Sequence, residues 1–298
     1  MKRLSKKPRM PLFAAIALLS VCAITALCGC GAGASNANSS SSSGSVGSAA
    51  ATTASSHDAN ALVVGVRSDI AGFGEYNKET GKYYGFEIDL ATEMAARMGY
   101  EDVEFVTVTP DTRKQMLQDG QVDCIVACYS ASDTRKKNFD FSPAYYTDHI
   151  VLVCENSSLI DSVDDLKGGV IGTVAGANTA PYLKNNLTER GFTTGEVVSA
   201  NADNTDVQFD TWHLKEYDGY EELSRALEAG EVDAMAMDGA IAAAYMDDSR
   251  AILSDYEAAP QEYAVATNKG SDLSESVSTT IQDMLDDGTI AGLIDKWN

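Results

Sequence analysis

Two arginines, Arg113 and Arg135, lie at opposite ends of a predicted helix–strand unit, with hydroxyl side chains between them. Thr112 and Arg113 lie in the first turn of a short predicted helix. A strand is predicted over residues 122–127, and a polar turn containing Ser130 leads to Arg135. A guanidinium is a planar, permanently charged fork that matches the two oxygens of a carboxylate. The spacing indicates a site that binds a small molecule by its carboxylates. An ordinary surface charge is the alternative for each arginine.

The N-terminal residues have the pattern of a bacterial lipoprotein signal. Five cations lie within the first nine residues, and an apolar run over residues 10–27 follows, barely long enough to span a bilayer. The run ends in Leu-Cys-Gly-Cys at residues 27–30, which resembles the lipobox at which lipoproteins are cleaved and lipidated. We predict a signal peptide over residues 1–29 and lipidation of Cys30. An uncleaved membrane anchor is the alternative, and Cys28 is unusual for the motif.

Residues 30–60 consist mostly of Ser, Ala, Gly, Asn and Thr and predict a disordered tether. A segment with almost no bulky apolar residue cannot bury enough surface to offset its loss of conformational entropy. A lipid on Cys30 would then hold the remainder at the cell membrane, on its extracellular or periplasmic side. Because one acyl chain binds a bilayer only marginally, stable anchoring needs the multiply acylated cysteine typical of bacterial lipoproteins.

The balance of charge is strongly acidic. The chain has 22 basic and 44 acidic residues, a formal net charge of −22, and five of the cations belong to the predicted signal peptide. This excess of negative charge excludes nucleic acid as a natural partner. A negatively charged ligand therefore needs a locally positive pocket within an acidic protein.

Metal binding and nucleophilic chemistry are not indicated by the cysteines and histidines. Cys124 and Cys128 lie four residues apart on a predicted strand, roughly 13 Å, too far for a disulfide. Cys154 could meet one of them, but the odd number favours buried thiols. The three histidines form no cluster, and there is no phosphate-binding glycine loop or nucleophile elbow. We predict no metal, no cofactor and no catalytic residue.

An internal repeat favours two similar lobes. The segment LQDGQVDC at residues 117–124 recurs as LEAGEVDA at residues 227–234. Each copy is typical of a helix end, a glycine after the helix and entry into a buried strand. The repeat places Cys128 and Asp238 at the carboxyl ends of matching strands, where open α/β sheets bind ligands. A chance match of a common pattern is the alternative.

Elsewhere, strands and helices alternate, which indicates an α/β fold. One segment, residues 210–217, matches no pattern and is predicted to be a surface loop. The predicted strands cover residues 62–66, 103–108, 149–154 and 169–174, and the predicted helices cover residues 87–98, 110–119 (with Thr109 as N-cap), 220–228 and 274–285.

The segment GFEIDLATEMAARM at residues 85–98 resembles the signature of the family 3 extracellular solute-binding proteins, the amino-acid receptors of ABC importers. The resemblance implies a two-lobed, periplasmic-binding-protein-like (Venus flytrap) α/β fold with two crossover strands as hinge. Lobe 1 would comprise residues 61–152 plus 261–298, and lobe 2 residues 153–260. It also implies an amino-acid ligand, an ABC permease as partner and a monomer. The similarity continues through residues 65–74, 112–113, 130–135, 139–142, 145–146, 230–233, 238 and 260–261.

The family's ligand contacts carry over to individual positions of this chain. Arg135, helped by Ser130, would bind the α-carboxylate of the ligand. Asp238 and the backbone carbonyl of Cys128 would accept from the α-ammonium group. Asn178-Thr179 stands where the family usually has two hydroxyl residues that contact the carboxylate. The aromatic residues Phe73, Tyr76 and Tyr220 are candidates for lining the cleft.

The position of Arg67 is the one that most separates ligand specificities in this family. Members that bind cationic amino acids or glutamine tend to have an acidic residue there. Arg67, with Arg113 nearby, implies a second carboxylate on the ligand, and the resemblance is closest to the aspartate/glutamate-binding members. The alternatives are a receptor for glutamine or another polar amino acid, a dehydratase-like enzyme on the same scaffold, and a sensor or adhesin that has kept the fold without transport. An outward-facing arginine is the structural alternative for Arg67.

We expect Cys30→Ser to abolish lipidation and retention at the membrane in the native host, because Cys30 provides the acylated thiol. Metabolic labelling with a fatty acid and membrane fractionation measure both effects. Processing and retention equal to those of the parent would instead assign the lipid to Cys28.

Overall fold

The computed structural model describes residues 60–258 and 260–297. The predicted signal peptide, Cys30 and almost all of the predicted tether lie outside the described residues.

The strands are β1 (Ala61–Val66), β2 (Asp69–Ile70), β3 (Gly74–Asn77), β4 (Lys82–Tyr84), β5 (Asp102–Thr107), β6 (Cys124–Val126), β7 (Phe139–Phe141), β8 (Tyr146–Glu155), β9 (Val170–Val174), β10 (Val197–Ala200), β11 (Asp206–Phe209), β12 (His213–Tyr217), β13 (Ala234–Asp238), β14 (Arg250–Ile252), β15 (Pro260–Tyr263) and β16 (Ala266–Asn268). The helices are α1 (Phe86–Arg97), α2 (Arg113–Gln118), α3 (Asp133–Lys136), α4 (Thr179–Glu189), α5 (Tyr220–Glu228), α6 (Gly239–Ala242), α7 (Leu273–Asp286) and α8 (Thr289–Trp297), with 3-10 turns at Asn156–Ser158, Val163–Leu166 and Ala243–Tyr245.

The first lobe is built on a five-stranded sheet in the order β5-β1-β6-β16-β7. Strand β1 runs parallel to β5 and β6, and β16 runs antiparallel to β6 and β7. The apolar residues of β1 are buried, as expected for a parallel strand with both faces covered. Helix α1 contributes an apolar face with a helical period, formed by Leu90, Ala91, Met94 and Ala95.

The second lobe is built on a sheet in the order β10-β11-β12-β9-β13-β8-β14. The loop predicted for residues 210–217 is wrong, because these residues form the turn after β11 and the whole of β12. Trp212 is fully buried and stacks on Phe209 with 4.6 Å between ring centroids. The segment is too short and too polar around this tryptophan to show a strand period in the sequence.

Strands β8 and β15 cross between the lobes and pair with each other antiparallel. The later residues of β8 pair with β13 and β14 of the second sheet. At the crossing, Tyr146 stacks on Tyr263 (ring centroids 5.8 Å apart), and the edge of Phe73 meets Tyr146 at 5.1 Å. The molecule therefore has two lobes and two crossover strands. We retain the predicted lobe boundaries as a proposal, because β8 passes between the sheets without a break.

The internal repeat has the same structural role in both lobes. The carboxylate of Asp123 accepts from the backbone N–H of Val63 at 2.9 Å, and Asp233 accepts from Val170 at 2.7 Å. Each aspartate thus ties the strand after a helix (β6 or β13) to the neighbouring parallel strand (β1 or β9). Two segments with the same sequence pattern make the same contact, which a chance match does not explain.

Helix α2 begins at Arg113, later than the predicted start at Pro110. The N–H of Thr112 donates to Thr109 Oγ1 at 3.1 Å, and the N–H of Thr109 donates to Thr112 Oγ1 at 3.0 Å. These local bonds hold residues 109–112 in a turn, because threonine hydroxyls compete with the helical bonding pattern. As a result, Arg113 is the first residue of the helix.

Within residues 60–258 and 260–297, no helix has the length and apolar character needed to cross a bilayer.

We expect Gly85→Ala to destabilise the fold by about 2 kcal/mol or more. Gly85 precedes α1 with φ at 133°, and an added Cβ would lie 2.1 Å from the carbonyl oxygen of Phe73. Gly99→Ala is the matched control, since Gly99 has φ at 88° but nothing within 4 Å of the added atom. Urea unfolding of both variants measures the difference. Equal losses would show that the steric contact is not the cause.

Candidate ligand-binding site

Arg113 and Arg135 both lie against the ring of Tyr129. Their guanidinium carbons are 4.3 and 4.2 Å from the ring centroid, within the range of cation–π attraction. Arg113 is buried and Arg135 is partly buried. Loss of hydration is the main cause that lowers the pKa of each arginine, to about 9 for Arg135. Each guanidinium remains charged at neutral pH. The structure therefore concentrates positive charge at this point of an acidic protein.

The hydrogen bonds of these two arginines go to carbonyl and hydroxyl oxygens. Arg113 Nη1 donates to the carbonyl of Ala127 at 2.7 Å and, less closely, to that of Cys128 at 3.3 Å. The Nε atom of Arg113 is buried and has no hydrogen-bond partner. Arg135 Nη1 donates to the carbonyl and hydroxyl oxygens of Ser130. Among the described residues, neither guanidinium forms an ion pair with a carboxylate.

The two lobes meet beside Arg135. Arg135 Nη2 donates to the carbonyl of Gly176 in the second lobe at 3.3 Å. Asn178 Nδ2, also in the second lobe, donates to Ser130 Oγ at 3.1 Å. Thr179 is buried as the first residue of α4. Asn178 thus reaches the same hydroxyl as Arg135, although it replaces a hydroxyl residue of the family pattern.

Cys128 has a backbone conformation that is unusual for a residue other than glycine, with φ at 46°. Its N–H donates to Glu87 Oε1 at 2.6 Å, and the hydroxyl of Tyr145 donates to the same oxygen at 2.5 Å. Burial raises the pKa of Glu87, and these bonds oppose the increase. Glu87 therefore stabilises the turn that directs the carbonyl of Cys128. That carbonyl is the predicted second acceptor for a ligand ammonium.

Asp238 lies at the end of β13 and accepts from the hydroxyl of Tyr263 at 2.5 Å. The same hydroxyl is 3.2 Å from Asp148, whose carboxylate also accepts from the N–H of Ala240. Burial raises the pKa of Asp238 to about 6, with a further increase from Asp148, while the fields of Arg113 and Arg135 oppose it. A buried carboxylate of this kind is suited to accept from a cationic group.

Arg67 is only 2% exposed and forms a bidentate ion pair with Asp69. Nε donates to Oδ1 at 2.9 Å and Nη2 to Oδ2 at 2.7 Å. The guanidinium also lies 5.5 Å from the ring centroid of Tyr220, which belongs to the second lobe. The outward-facing alternative for Arg67 is therefore wrong. Asp69 is a partner that the sequence analysis did not identify.

The candidate aromatic residues have different environments. Phe73 packs in the hinge cluster, Tyr76 is exposed against Tyr83, and Tyr220 faces Arg67. Tyr129, whose ring lies against both arginines, was not predicted from the sequence. Its position between Cys128 and Ser130, two predicted ligand contacts, is the sequence feature that indicates it.

A cavity of about 280 Å³ opens beside Arg135 and is lined by residues of both lobes, including Pro110 and Gly176. Of the predicted ligand-binding residues, Arg135 and Asn178 line it, and Arg67, Arg113 and Asp238 do not. A larger cavity of about 780 Å³ lies elsewhere, near Tyr100 and the start of α7, and includes none of the predicted ligand-binding residues.

No group of residues suited to a metal ion occurs in the part of the chain that the structure describes. Cys124, Cys128 and Cys154 are buried free thiols, as predicted.

The arrangement can bind a small zwitterion. Arg135 and Ser130 offer donors for a carboxylate, and Asp238 offers an acceptor for an ammonium group. Arg113 supplies further positive charge, whereas the charge of Arg67 is paired with Asp69. Arg135 and Ser130 of the first lobe are hydrogen-bonded to Gly176 and Asn178 of the second, so a ligand held at this point would contact both lobes.

Comparison with known proteins identifies the class to which this fold and site belong. The model of the bacterial extracellular solute-binding proteins, family 3, matches residues 62–298. The chain belongs to this family, and it is an amino-acid solute-binding protein of the kind that serves ABC transporters.

Its relatives differ in the ligand that they are named for. The glutamine-binding protein GlnH of Bacillus subtilis is 30% identical over 251 residues, which cover 83% of this chain and 84% of the relative. The glutamate-binding protein GluB of Corynebacterium glutamicum is 26% identical over 247 residues, covering 78% and 76%. An ancestral arginine-binding protein bound to arginine has a similar structure, with TM-score 0.66, 28% identity and coverage of 81% and 99%.

We expect the affinity for an amino acid to fall about tenfold per pH unit below pH 6, because one carboxylate must lose its proton to accept the ammonium. We expect Asp238, with a pKa of about 6, to be that group. Tyr263, Asp148, Arg113 and Arg135 are the titratable or charged residues acting on it. Calorimetry between pH 4.5 and about 8 measures the slope.

Asp238→Asn, tested at higher ligand concentration, should bind weakly and lose this slope. An unchanged slope in that variant would assign the proton to another carboxylate, with Glu87 as the next candidate.

Proposed function

We propose that this protein is the extracellular substrate-binding lipoprotein of an amino-acid ABC importer and that it binds an acidic amino acid, L-glutamate or L-aspartate, between its lobes. The proposed contacts are Arg135 and Ser130, with Asn178 and Thr179, for the α-carboxylate, and Asp238 with the carbonyl of Cys128 for the ammonium group. The second carboxylate would be held by Arg113 and Arg67.

The observation that carries this proposal is the state of Arg113. It is buried, its Nε has no hydrogen-bond partner, and its positive charge is not paired with a carboxylate among the described residues. An unpaired buried charge is costly, and a ligand anion would remove that cost. A cationic side chain would instead add a like charge to a desolvated site.

Glutamine is the second candidate, and the ion pair of Arg67 with Asp69 favours it. A side-chain amide has both a carbonyl acceptor and an N–H donor, so it can bind to both members of such a pair. The relationship to GlnH gives the same support.

The proposed role involves no chemistry on the ligand. Asp238 is the buried acid most suited to catalysis, and its environment is accounted for by an ammonium ligand. The permease would then recognise the closed, liganded form. We also propose that Cys30 anchors the protein to the membrane and that the protein is a monomer.

A thermal-shift screen of the twenty amino acids with the purified full-length protein tests the proposal. Glutamate or aspartate should stabilise the protein most, and lysine and arginine should have no effect. A ligand at about a thousand times its dissociation constant adds roughly 4 kcal/mol to the free energy of unfolding, far above experimental error.

Arg135→Ala should remove the response to every amino acid, because all of them present an α-carboxylate. Arg190→Ala is the matched control: Arg190 also lies over a tyrosine, Tyr256, with 5.1 Å to the ring centroid, but outside the cleft. Tight lysine binding without a glutamate response would contradict the acidic specificity.

A further inference from the structure

The ion pair between Arg67 and Asp69 is held in place by the backbone around it. Asp69 begins β2, which pairs with β3 so that Asp69 lies opposite Glu75. Gly74 packs directly against Arg67, since a Cβ atom there would lie 2.7 Å from the carbonyl oxygen of Arg67. This close approach holds the β2–β3 hairpin beside Arg67. Asp69 is therefore positioned next to the guanidinium before any ligand arrives.

The pair extends from the cleft toward solvent. At its inner end, Arg67 is buried, faces Tyr220 of the second lobe and lies close enough to Arg113 to lower the pKa of that residue. At its outer end, the side chain of Asp69 is 43% exposed. Asp69 can therefore exchange its bonds to Arg67 for bonds to water, whereas Arg67 has no route to solvent without leaving its buried position.

We infer that Asp69 is a specificity-determining residue of this site, which competes with a ligand carboxylate for Arg67 and so sets the ratio of affinities for acidic and amide side chains. The inference rests on the proposed function in that it assumes an amino-acid ligand in this cleft.

The physical basis is that Arg67 can satisfy one carboxylate fully. Asp69 already occupies its Nε and Nη2 groups in the bidentate geometry that a ligand carboxylate would seek. A glutamate side chain must displace Asp69 or bind beside another negative charge, and both weaken binding. A glutamine side chain meets no such repulsion, because its amide can donate to Asp69 while its carbonyl accepts from Arg67.

Asp69→Asn keeps the shape of the side chain and removes its charge. We expect this variant of the full-length protein to bind glutamate about tenfold more tightly than the parent and to bind glutamine equally or more weakly. Calorimetry with both ligands gives the ratio, which is insensitive to general damage to the lobe. Asp164→Asn is the matched control, because it removes a carboxylate from an exposed pair with Lys167 far along the chain. Asp69→Ala should change the ratio in the same direction.

We expect the double variant, Asp69→Asn with Arg67→Ala, to bind glutamate no more tightly than the parent, because no guanidinium then remains for Asp69 and the ligand to compete for. A gain that persists in the double variant, or equal changes for glutamate and glutamine in Asp69→Asn, would overturn the inference. A purely structural role of the pair gives such equal changes.

Failure of the proposed function has a different signature. A parent protein that responds to neither glutamate nor aspartate contradicts the acidic specificity. The twenty-amino-acid screen repeated on Asp69→Asn then decides the inference by itself. A new or increased response to the acidic amino acids supports it, and an unchanged order of responses overturns it.

Discussion

Burial of positive charge is the constraint on which the rest of this molecule depends. Arg67 and Arg113 are buried, and Arg135 is partly buried, in a protein whose net charge is strongly negative. Each needs compensation, and each obtains a different kind: a carboxylate for Arg67, backbone carbonyls for Arg113, and a hydroxyl with carbonyls for Arg135. Only the charge of Arg67 is fully neutralised, by Asp69. Arg113 and Arg135 have no carboxylate in an ion pair among the described residues, which is the basis for proposing an anionic ligand.

The lobes and the site are connected through a few buried polar groups. Glu87 joins the turn at Cys128 to Tyr145, immediately before the crossover strand β8. Tyr263, on the other crossover strand, joins Asp148 to Asp238. The residues proposed to bind the ligand are thus bonded to residues at the hinge. A change in the hinge angle must alter the geometry of the site, and a bound ligand must bias the hinge by the same coupling free energy.

Much of this architecture could be predicted from the sequence, because it depends on local patterns. The repeat around Asp123 and Asp233 indicated two lobes, since a helix end, a glycine and a buried strand are adjacent in the chain. The Arg67–Asp69 pair could not be predicted in this way. Which acid an arginine selects depends on the course of the β2–β3 hairpin and on the directions of the side chains. Trp212 was missed for a related reason, since burial by distant strands leaves no period in a short segment.

The relation between Arg113 and Asp69 explains why family membership alone does not determine the ligand. One guanidinium lacks a carboxylate and favours an acidic side chain, while another is already paired and favours an amide. The two effects act on neighbouring parts of one cleft and oppose each other. On the proposed function, a change of the single charge of Asp69 would shift this balance without any change to Arg135 or Asp238. The proposed contacts to the α-carboxylate and α-ammonium groups would then stay constant, while selectivity for the ligand side chain varies with the residues around Arg67 and Arg113.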